Sequence, residues 1–368
     1  MQKNQFKFLF AGGGTGGHLF PAIAVAEKIK AILPEAEILF VGTKSRIEGK
    51  LVPKLGFNFK SIWIKGFSRK LSWENLLFPL KLFISVLQSL IINLKFQPSV
   101  AIGTGGYVAG PAILGSAILG AKIILIEQNS LPGITTKLLQ RYADEIHLSY
   151  DNSKQYLKNG KKLFLTGNPV RENLVLKNKS AVLPKFGLAA DKKTLLILGG
   201  SLGASSLNTA VASNLEQLCE SDIQIIWQTG RNDFEKYKSL ASNQVWISAF
   251  IEDMNEAYSA CTMAVARAGA TSIAEILFLG IPSILVPSPN VAENHQYYNA
   301  KSLADQNAVA MINDSELNEK FFEEVKSLIF NNKKLSEMSQ ISKSLSKPEA
   351  TNIIANRAIN YAKKETIN

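Results

Sequence analysis

Short β-branched or aromatic runs, many of them ending in glycine, are each followed by a segment of helical periodicity, and this alternation constrains the chain to parallel βα units. In the first half the runs fall at Phe6–Phe10, Glu37–Val41, Phe57–Ile62, Val100–Gly103, Lys122–Glu127, Glu145–Leu148 and Leu163–Thr166. The second half repeats the scheme at Thr194–Leu198, Ile223–Thr229, Val245–Ser248, Met263–Ala266, Ser283–Val286 and Ala308–Ile312. Between the halves, Pro169, Pro184 and a run of lysines break periodicity, which places a boundary near residue 167. The expected architecture is α/β, with two Rossmann-like doubly wound parallel-sheet domains over residues 1–166 and 167–346. Such domains bind ligands at the carboxyl ends of their strands, so a site facing both is an interdomain cleft. After Pro348, the residues Ile353, Ile354, Ala358, Tyr361 and Ala362 form one helical face, so a last helix over 347–368 has to dock, with the first domain the expected place.

A length of 368 residues fits two domains, and 46% apolar against 19% charged residues supports globular folding throughout. Cys219 and Cys261 stand far apart, which supports neither a disulfide framework nor a cysteine zinc site and fits a reducing cytoplasm. The first strand is preceded by no signal-like apolar stretch. The stretch Leu76 to Leu94 is interrupted by Pro79, Lys81, Gln88 and Asn93 and only just reaches the roughly 20 apolar residues of a membrane span. It reads as a helix on or near the surface. A net charge of +11 calls for an anionic partner, either a bilayer or phosphorylated substrates. Nucleic acid is not expected, because no zinc-finger spacing, ribonucleoprotein-type aromatic strand or arginine-rich arm is present.

Gly12-Gly13-Gly14-Thr15-Gly16-Gly17-His18 follows the first strand and satisfies G-x-G-x-x-G, yet the second strand ends Val41-Gly42-Thr43 without the carboxylate that a nicotinamide dinucleotide requires. A diphosphate or sugar approaching the bare backbone and the positive helix end is the better reading. His18 sits where the helix dipole favours a neutral imidazole, as a general base needs, although a capping role is also open. Glycine turns recur at Gly103-Thr104-Gly105-Gly106-Tyr107 and at Gly199-Gly200-Ser201-Leu202-Gly203. The segment Arg267 to Glu275 carries Thr271 and Ser272 into a helix start, a further anion site, and Glu275 one turn later can accept two hydrogen bonds from a ribose diol. The chain has no D-x-D pair, so a metal clamp on a diphosphate is not expected; helix ends and hydroxyls would stabilise the leaving group.

Taken in order, Gly12 to His18, Glu127-Gln128-Asn129, Thr166 to Arg171, the Ser201 loop, Arg267 to Glu275 and His295-Gln296-Tyr297-Tyr298-Asn299-Ala300 resemble the bacterial MurG family over nearly the whole chain. The resemblance implies a GT-B glycosyltransferase that moves N-acetylglucosamine from UDP-N-acetylglucosamine to the 4-hydroxyl of undecaprenyl-diphospho-N-acetylmuramyl-pentapeptide (lipid I), with inversion and without a cofactor. It implies Glu275 as the ribose ligand, Ser201, Thr271 and Ser272 as the diphosphate cradle, Ile251 as a backbone contact to uracil and Ala270 as an amide donor. Asn129, Arg171 and Gln296 would meet the sugar or diphosphate, with Thr15, Gly16 and Gly17 also on the donor and Gly14, Gly105 and Gly106 around the acceptor diphosphate. His18 would be a candidate base, or at least an acceptor-site residue. His295 departs from the glutamine that some members carry, and imidazole can also bind a hydroxyl.

A lipid-linked acceptor brings the enzyme to the cytoplasmic face of the plasma membrane as a peripheral protein. From Ile62 to Phe96 apolar residues including Trp73 and Phe78 interleave with Lys65, Arg69 and Lys70, a composition suited to an anionic membrane surface, or else to packing into the first domain. A different lipid glycosyltransferase, with a diacylglycerol acceptor for instance, would share the donor half. A UDP-sugar 2-epimerase would be expected to place several carboxylates around the sugar.

Overall fold

A computed structural model describes residues 6–66, 77–158, 160–200, 202–291 and 294–365. The expected site residues Arg69, Lys70, Trp73 and Ser201 lie outside them. Among the described residues the longer helices are α1 Gly16–Ile32, α2 Ile47–Lys54, α3 Phe78–Phe96, α4 Ala109–Ile118, α5 Ser205–Ser213, α6 Ala270–Leu279, α7 His295–Ala304, α8 Leu317–Ile329, α9 Asn332–Leu345 and α10 Ala350–Glu365.

The chain forms two compact units, Met1–Glu172 with Lys347–Asn368, and Asn173–Ser346. This corrects the boundary expected near 167. Residues 167–172 stay with the first unit, because Thr351 Oγ1 donates to the Val170 carbonyl at 2.9 Å and Glu172 pairs with Lys28 of α1 at 2.5 Å.

The first unit holds seven strands: β1 Lys7–Gly12, β2 Glu37–Gly42, β3 Asn58–Ser61, β4 Val100–Gly105, β5 Lys122–Glu127, β6 Glu145–Leu148 and β7 Leu163–Leu165. Their spatial order is β3-β2-β1-β4-β5-β6-β7. The second holds β8 Lys193–Leu198, β9 Ile223–Gln228, β10 Val245–Ser248, β11 Met263–Arg267, β12 Ser283–Val286 and β13 Ala310–Met311, in the order β10-β9-β8-β11-β12-β13. Pairing is parallel throughout both sheets. Buried strands of this kind need apolar side chains on both faces. In β1, Phe8 and Phe10 enter one cluster with α1 and α10, while Leu9 and Ala11 enter another with α4. In β8, Leu195 and Ile197 pack on one side and Leu196 and Leu198 on the other. The direction of winding reverses between β1 and β4 and again between β8 and β11, and ligands of open α/β sheets bind at such switch points.

Helix α3 is inverted relative to a soluble amphipathic helix. Its buried residues are Ser85, Ser89 and Asn93, whereas Leu80, Phe83, Leu87, Ile91 and Leu94 are exposed, Phe83 to 63%. The polar face is internally satisfied: Asn93 Nδ2 donates to the Ser89 carbonyl at 2.8 Å, and Ser116 of α4 donates to Asn93 Oδ1 at 2.7 Å. Gly115 permits that approach, since a Cβ there would meet Ser89 at 3.2 Å. The helix has 19 residues with a mean hydropathy of 1.3, enough by length and composition alone to cross a membrane.

Helix α10 completes the first unit. Ile354, Ala355, Ala358, Ile359 and Ala362 join the cluster of α1, and its polar side reaches β6. Arg357 pairs with buried Glu145 through two guanidinium nitrogens, and Tyr361 Oη donates to the same carboxylate at 2.9 Å. His147 Nε2 lies 3.2 Å from Glu145 Oε2, and its Nδ1 lies 3.3 Å from Thr166 Oγ1. Burial would raise the Glu145 pKa, but hydrogen bonds from His147, Arg357 and Tyr361 and the Arg357 charge outweigh it and bring the value to about 2. Burial lowers His147 below its ordinary 6.5 despite Glu145.

Both groups therefore have folded-state pKa values below the unfolded ones, and their stabilisation is complete above the unfolded values and lost as pH falls. Hydrogen-exchange protection of residues 350–365 is expected to weaken as pH drops below 6.5, and further between 4.5 and about 2. Arg357→Ala strands the Glu145 charge and should cost about 3 kcal/mol at pH 7, the low end for a broken buried pair because the arginine is partly exposed. Unchanged protection in that variant would remove the ion pair from the docking of α10.

Candidate functional site

In the first unit, three loops meet at the carboxyl ends of β1, β4 and β5. Thr15 caps α1 in an extended conformation, and His18 falls in the first turn, with Thr15 Oγ1 and His18 Nδ1 3.3 Å apart. Thr104 Oγ1 donates to the His18 carbonyl at 2.6 Å, Gln128 Nε2 to the Thr104 carbonyl at 2.9 Å, and Thr135 Oγ1 to the Gly106 carbonyl at 3.1 Å. Only glycine fits beside the imidazole. Gly105 and Gly106 have φ of +95° and +80°, and a Cβ on Gly105 would stand 2.9 Å from His18 Cδ2. The structure thus brings Gly14, Thr15, Gly16, Gly17, His18, Gly105 and Gly106 together.

Beneath this loop lies a carboxylate that the sequence reading did not place there. Glu48, in the first turn of α2, is 1% exposed and sits where β2 ends. Its Oε1 accepts from the Thr43 amide at 3.0 Å and the Thr43 hydroxyl at 2.7 Å, and its Oε2 accepts from the Gly14 amide at 3.1 Å. A Cβ on Gly13 would lie 2.5 Å from the Glu48 carboxyl carbon. The expectation of no acid at the end of the second strand holds for the strand itself but not for the space: a side chain from the next helix fills it and is spent on the protein's own backbone. The only local signal was a glutamate in the first turn of a helix close behind a strand.

Glu127, at the end of β5, plays a similar part for Asn129. It accepts from the Asn129 amide at 3.1 Å, Asn129 Nδ2 at 3.3 Å, the Gly133 amide at 3.0 Å and Thr136 Oγ1 at 2.6 Å. Burial raises its pKa against these hydrogen bonds. Arg171 lies elsewhere in the unit, where its charge acts on Glu27 of α1, a carboxyl whose pKa burial raises. Glu27 is eleven residues past Gly16, about 16 Å along the helix. Of the residues expected at a membrane, Phe78 opens α3 and Lys65 lines a cavity with Arg46 and Lys81.

The second unit builds its loops on the same plan. Gly203 has φ of +97°, and a Cβ there would stand 2.4 Å from the Thr229 carbonyl, so the close approach of the loops after β8 and β9 at this point requires glycine. Arg267 is engaged within its own unit. It pairs with Asp314 at 2.5 Å and donates to Ser206 Oγ at 2.6 Å, tying β11 to α5. Helix α6 starts at Ala270 behind Gly269, with no side chain capping it. In its first turn Thr271 Oγ1 is buried without a hydrogen-bond partner among the described residues, beside Ser272. Glu275, one turn further, is 8% exposed and accepts from Tyr258 Oη at 3.0 Å. Ile251 donates its amide to Gln228 Oε1 at 2.9 Å. His295 and Gln296 open α7, where Gln296 Oε1 accepts from the Ser288 amide at 2.9 Å. Tyr258 and Gln228, which hold Glu275 and Ile251, were not singled out from sequence because a tyrosine inside a helix and a glutamine at a strand end carry no pattern of their own.

A buried unpartnered hydroxyl at a helix N-terminus, followed by an oriented carboxylate, offers the kinds of hydrogen-bond partner that a phosphate and a diol take. Both units match known domain families. The glycosyltransferase family 28 N-terminal domain matches residues 8–148 and the glycosyltransferase family 28 C-terminal domain matches residues 194–354. Two such parallel-sheet units with glycine and hydroxyl loops at their switch points define a GT-B glycosyltransferase.

A Flavobacterium psychrophilum protein named UDP-N-acetylglucosamine–N-acetylmuramyl-(pentapeptide) pyrophosphoryl-undecaprenol N-acetylglucosamine transferase is 40% identical over 98% of this chain and 99% of its own. A Bacillus subtilis protein of the same name is 41% identical over 94% of this chain and 96% of its own. The crystal structure of Acinetobacter baumannii MurG superposes with a TM-score of 0.73 at 27% identity, covering 96% of this chain and 99% of that one. The chain belongs to the MurG family.

Proposed function

We propose that this chain transfers N-acetylglucosamine from UDP-N-acetylglucosamine to the 4-hydroxyl of an undecaprenyl-pyrophosphoryl N-acetylmuramyl-pentapeptide, producing the disaccharide-linked lipid used for peptidoglycan. The observation that carries the donor half is the orphan Thr271 hydroxyl at the start of α6, one turn before Glu275. A diphosphate oxygen supplies the missing partner and the helix dipole favours its charge. The ribose hydroxyls donate to Glu275, which Tyr258 holds in place, and Ile251 meets the uracil once its amide leaves Gln228 or through its carbonyl.

In the transfer the acceptor oxygen attacks the anomeric carbon opposite the departing UDP, the bond from that carbon to the phosphate oxygen breaks with its electrons, and His18 takes the acceptor proton. One displacement inverts the centre. Hydroxyls and helix ends stabilise the leaving diphosphate without a metal ion or cofactor. The apolar outer face of α3 rests on the cytoplasmic leaflet as a peripheral anchor, with Phe78 at its start, because a polyprenyl acceptor does not leave the bilayer.

The test is radiolabel transfer from UDP-N-acetylglucosamine to a lipid I analogue, with and without a chelator. Chelator-resistant labelling of the lipid is expected; donor binding without transfer would mean another acceptor. Thr271→Val isolates the donor cradle. It removes an unsatisfied buried hydroxyl, so the free protein should gain about 1 kcal/mol, while UDP binding should weaken roughly tenfold. Loss of stability on this substitution, or unchanged UDP affinity, would remove Thr271 from the phosphate site.

A further inference from the structure

Gln228 ends β9 at the carboxyl edge of the second sheet, between Leu198 of β8 and Ser248 of β10, and is only 5% exposed. A glutamine amide brings one acceptor oxygen and two N–H donors. Here Oε1 accepts from the Ile251 amide at 2.9 Å. That bond decides which way the group faces, because the reverse orientation would set donor against donor and leave the amide of Ile251, itself 3% exposed, without an acceptor. Nε2 is therefore the free end, and among the described residues nothing accepts from it. Unlike Thr271 Oγ1 it is not sealed from solvent, so it opens at the end of the strand. The turn that presents Ile251 is braced independently: Ser248 Oγ donates to the Phe250 carbonyl at 3.0 Å and accepts from the Phe250 amide at 3.3 Å.

Gln228 shares a sheet face with the ribose ligand proposed above. Ile226, two residues back along the strand, belongs to one cluster with Ile251, Tyr258 and Ile273, and Tyr258 is the residue that holds Glu275. A nucleoside diphosphate presents phosphate, ribose and base in that order. Thr271 and Glu275 suit the first two, and Gln228 adds to the same face a donor that cannot turn. Resting on the donor reading above, we propose that Gln228 selects the base of the donor nucleotide, with Nε2 donating to O4 of uracil. Cytosine carries an amino group at that position, so the fixed donor would meet another donor. A glutamine free to flip would accept from that amino group instead; one whose oxygen is held by Ile251 does not. The mismatch leaves polar groups buried and unpaired, which is how a site rejects an analogue more strongly than by shape. The Ile251 amide stays on Gln228 in this arrangement, and the Ile251 carbonyl remains for the N3–H of the base.

The test is calorimetric binding of UDP, CDP and 4-thio-UDP to the full-length protein and to two variants. The unmodified protein should bind UDP at least about tenfold more tightly than CDP. It should bind 4-thio-UDP, whose sulfur is a poorer acceptor at the same position, about threefold to tenfold more weakly than UDP. In Gln228→Met, which removes the donor, UDP and 4-thio-UDP should bind alike. That variant also strands the Ile251 amide, so Gln228→Glu supplies a second reading: it keeps an oxygen for Ile251 and, once ionised, accepts where the amide donated. Its preference for UDP over CDP should fall at least about tenfold between about pH 6 and about pH 8.5 as the introduced carboxyl ionises, and the charge shared by both diphosphates cancels from the ratio. A sulfur penalty that persists in Gln228→Met, a Gln228→Glu preference equal to that of the unmodified protein at both pH values, or a penalty for 2-thio-UDP in place of 4-thio-UDP would each overturn the proposal. Binding of UDP and CDP alike by the unmodified protein overturns only the role of Gln228, whereas binding of neither sinks the donor reading itself.

Discussion

His18→Ala is expected to lower kcat by about a hundred- to ten-thousand-fold, the range supplied by a positioned general base, with UDP affinity nearly unchanged. The affinity is spared because the UDP-binding residues proposed above, Thr271, Ser272 and Glu275, belong to the other compact unit. The imidazole is held on the first turn of α1 beside the two left-handed glycines of the β4 loop, a position that excludes a larger side chain at 105 or 106. Turnover within a few-fold of normal would reduce His18 to a packing role between those loops. Steady-state kinetics paired with UDP calorimetry separates the two outcomes.

The second large effect is expected from a residue that touches no substrate in this scheme. Glu48→Ala leaves the Gly14 amide, the Thr43 amide and the Thr43 hydroxyl without their acceptor. Each unsatisfied buried donor costs about 1–3 kcal/mol, so the glycine loop should relax away from its present path. A displacement of an ångström near the reacting atoms is worth about a hundredfold in rate, and kcat should fall by that order while donor KM holds. Glu48→Gln keeps one acceptor oxygen and should recover part of the loss, a graded rescue that simple destabilisation of α2 would not produce. If glutamine and alanine behave alike, the positioning role is wrong.

The inner strands were readable from sequence because they are buried on both faces and therefore appear as continuous apolar runs, whereas β3 is mostly exposed and polar; every expected run corresponds to a strand, with ends shifted by a residue or two. The glycine turns were readable because backbone conformations such as those at Gly105 and Gly203 exclude other residues. What stayed hidden depends on distance through space. Glu48 belongs to the glycine loop across 34 positions of chain, and the cationic cavity is assembled from four separated segments around Ser45, Trp63, Lys81 and Tyr107. The domain boundary was misplaced by a few residues because prolines mark where periodicity stops, whereas the true division is set by Thr351 and Lys28 holding residues 170–172 from elsewhere in the chain.

Helix α10 carries a consequence for the order in which the molecule is made. The core of the first unit includes Ile354, Ala355, Ala358, Ile359 and Ala362, so it cannot close until residues 354–362 have left the ribosome. Residues 173–346 need nothing from that stretch for their own clusters, and they emerge earlier. The usual sequence of synthesis, in which the N-terminal domain folds first, is therefore reversed at its final step. The unit begun first is finished last, and until then the apolar side of α1 waits uncovered for a helix encoded some 320 residues downstream.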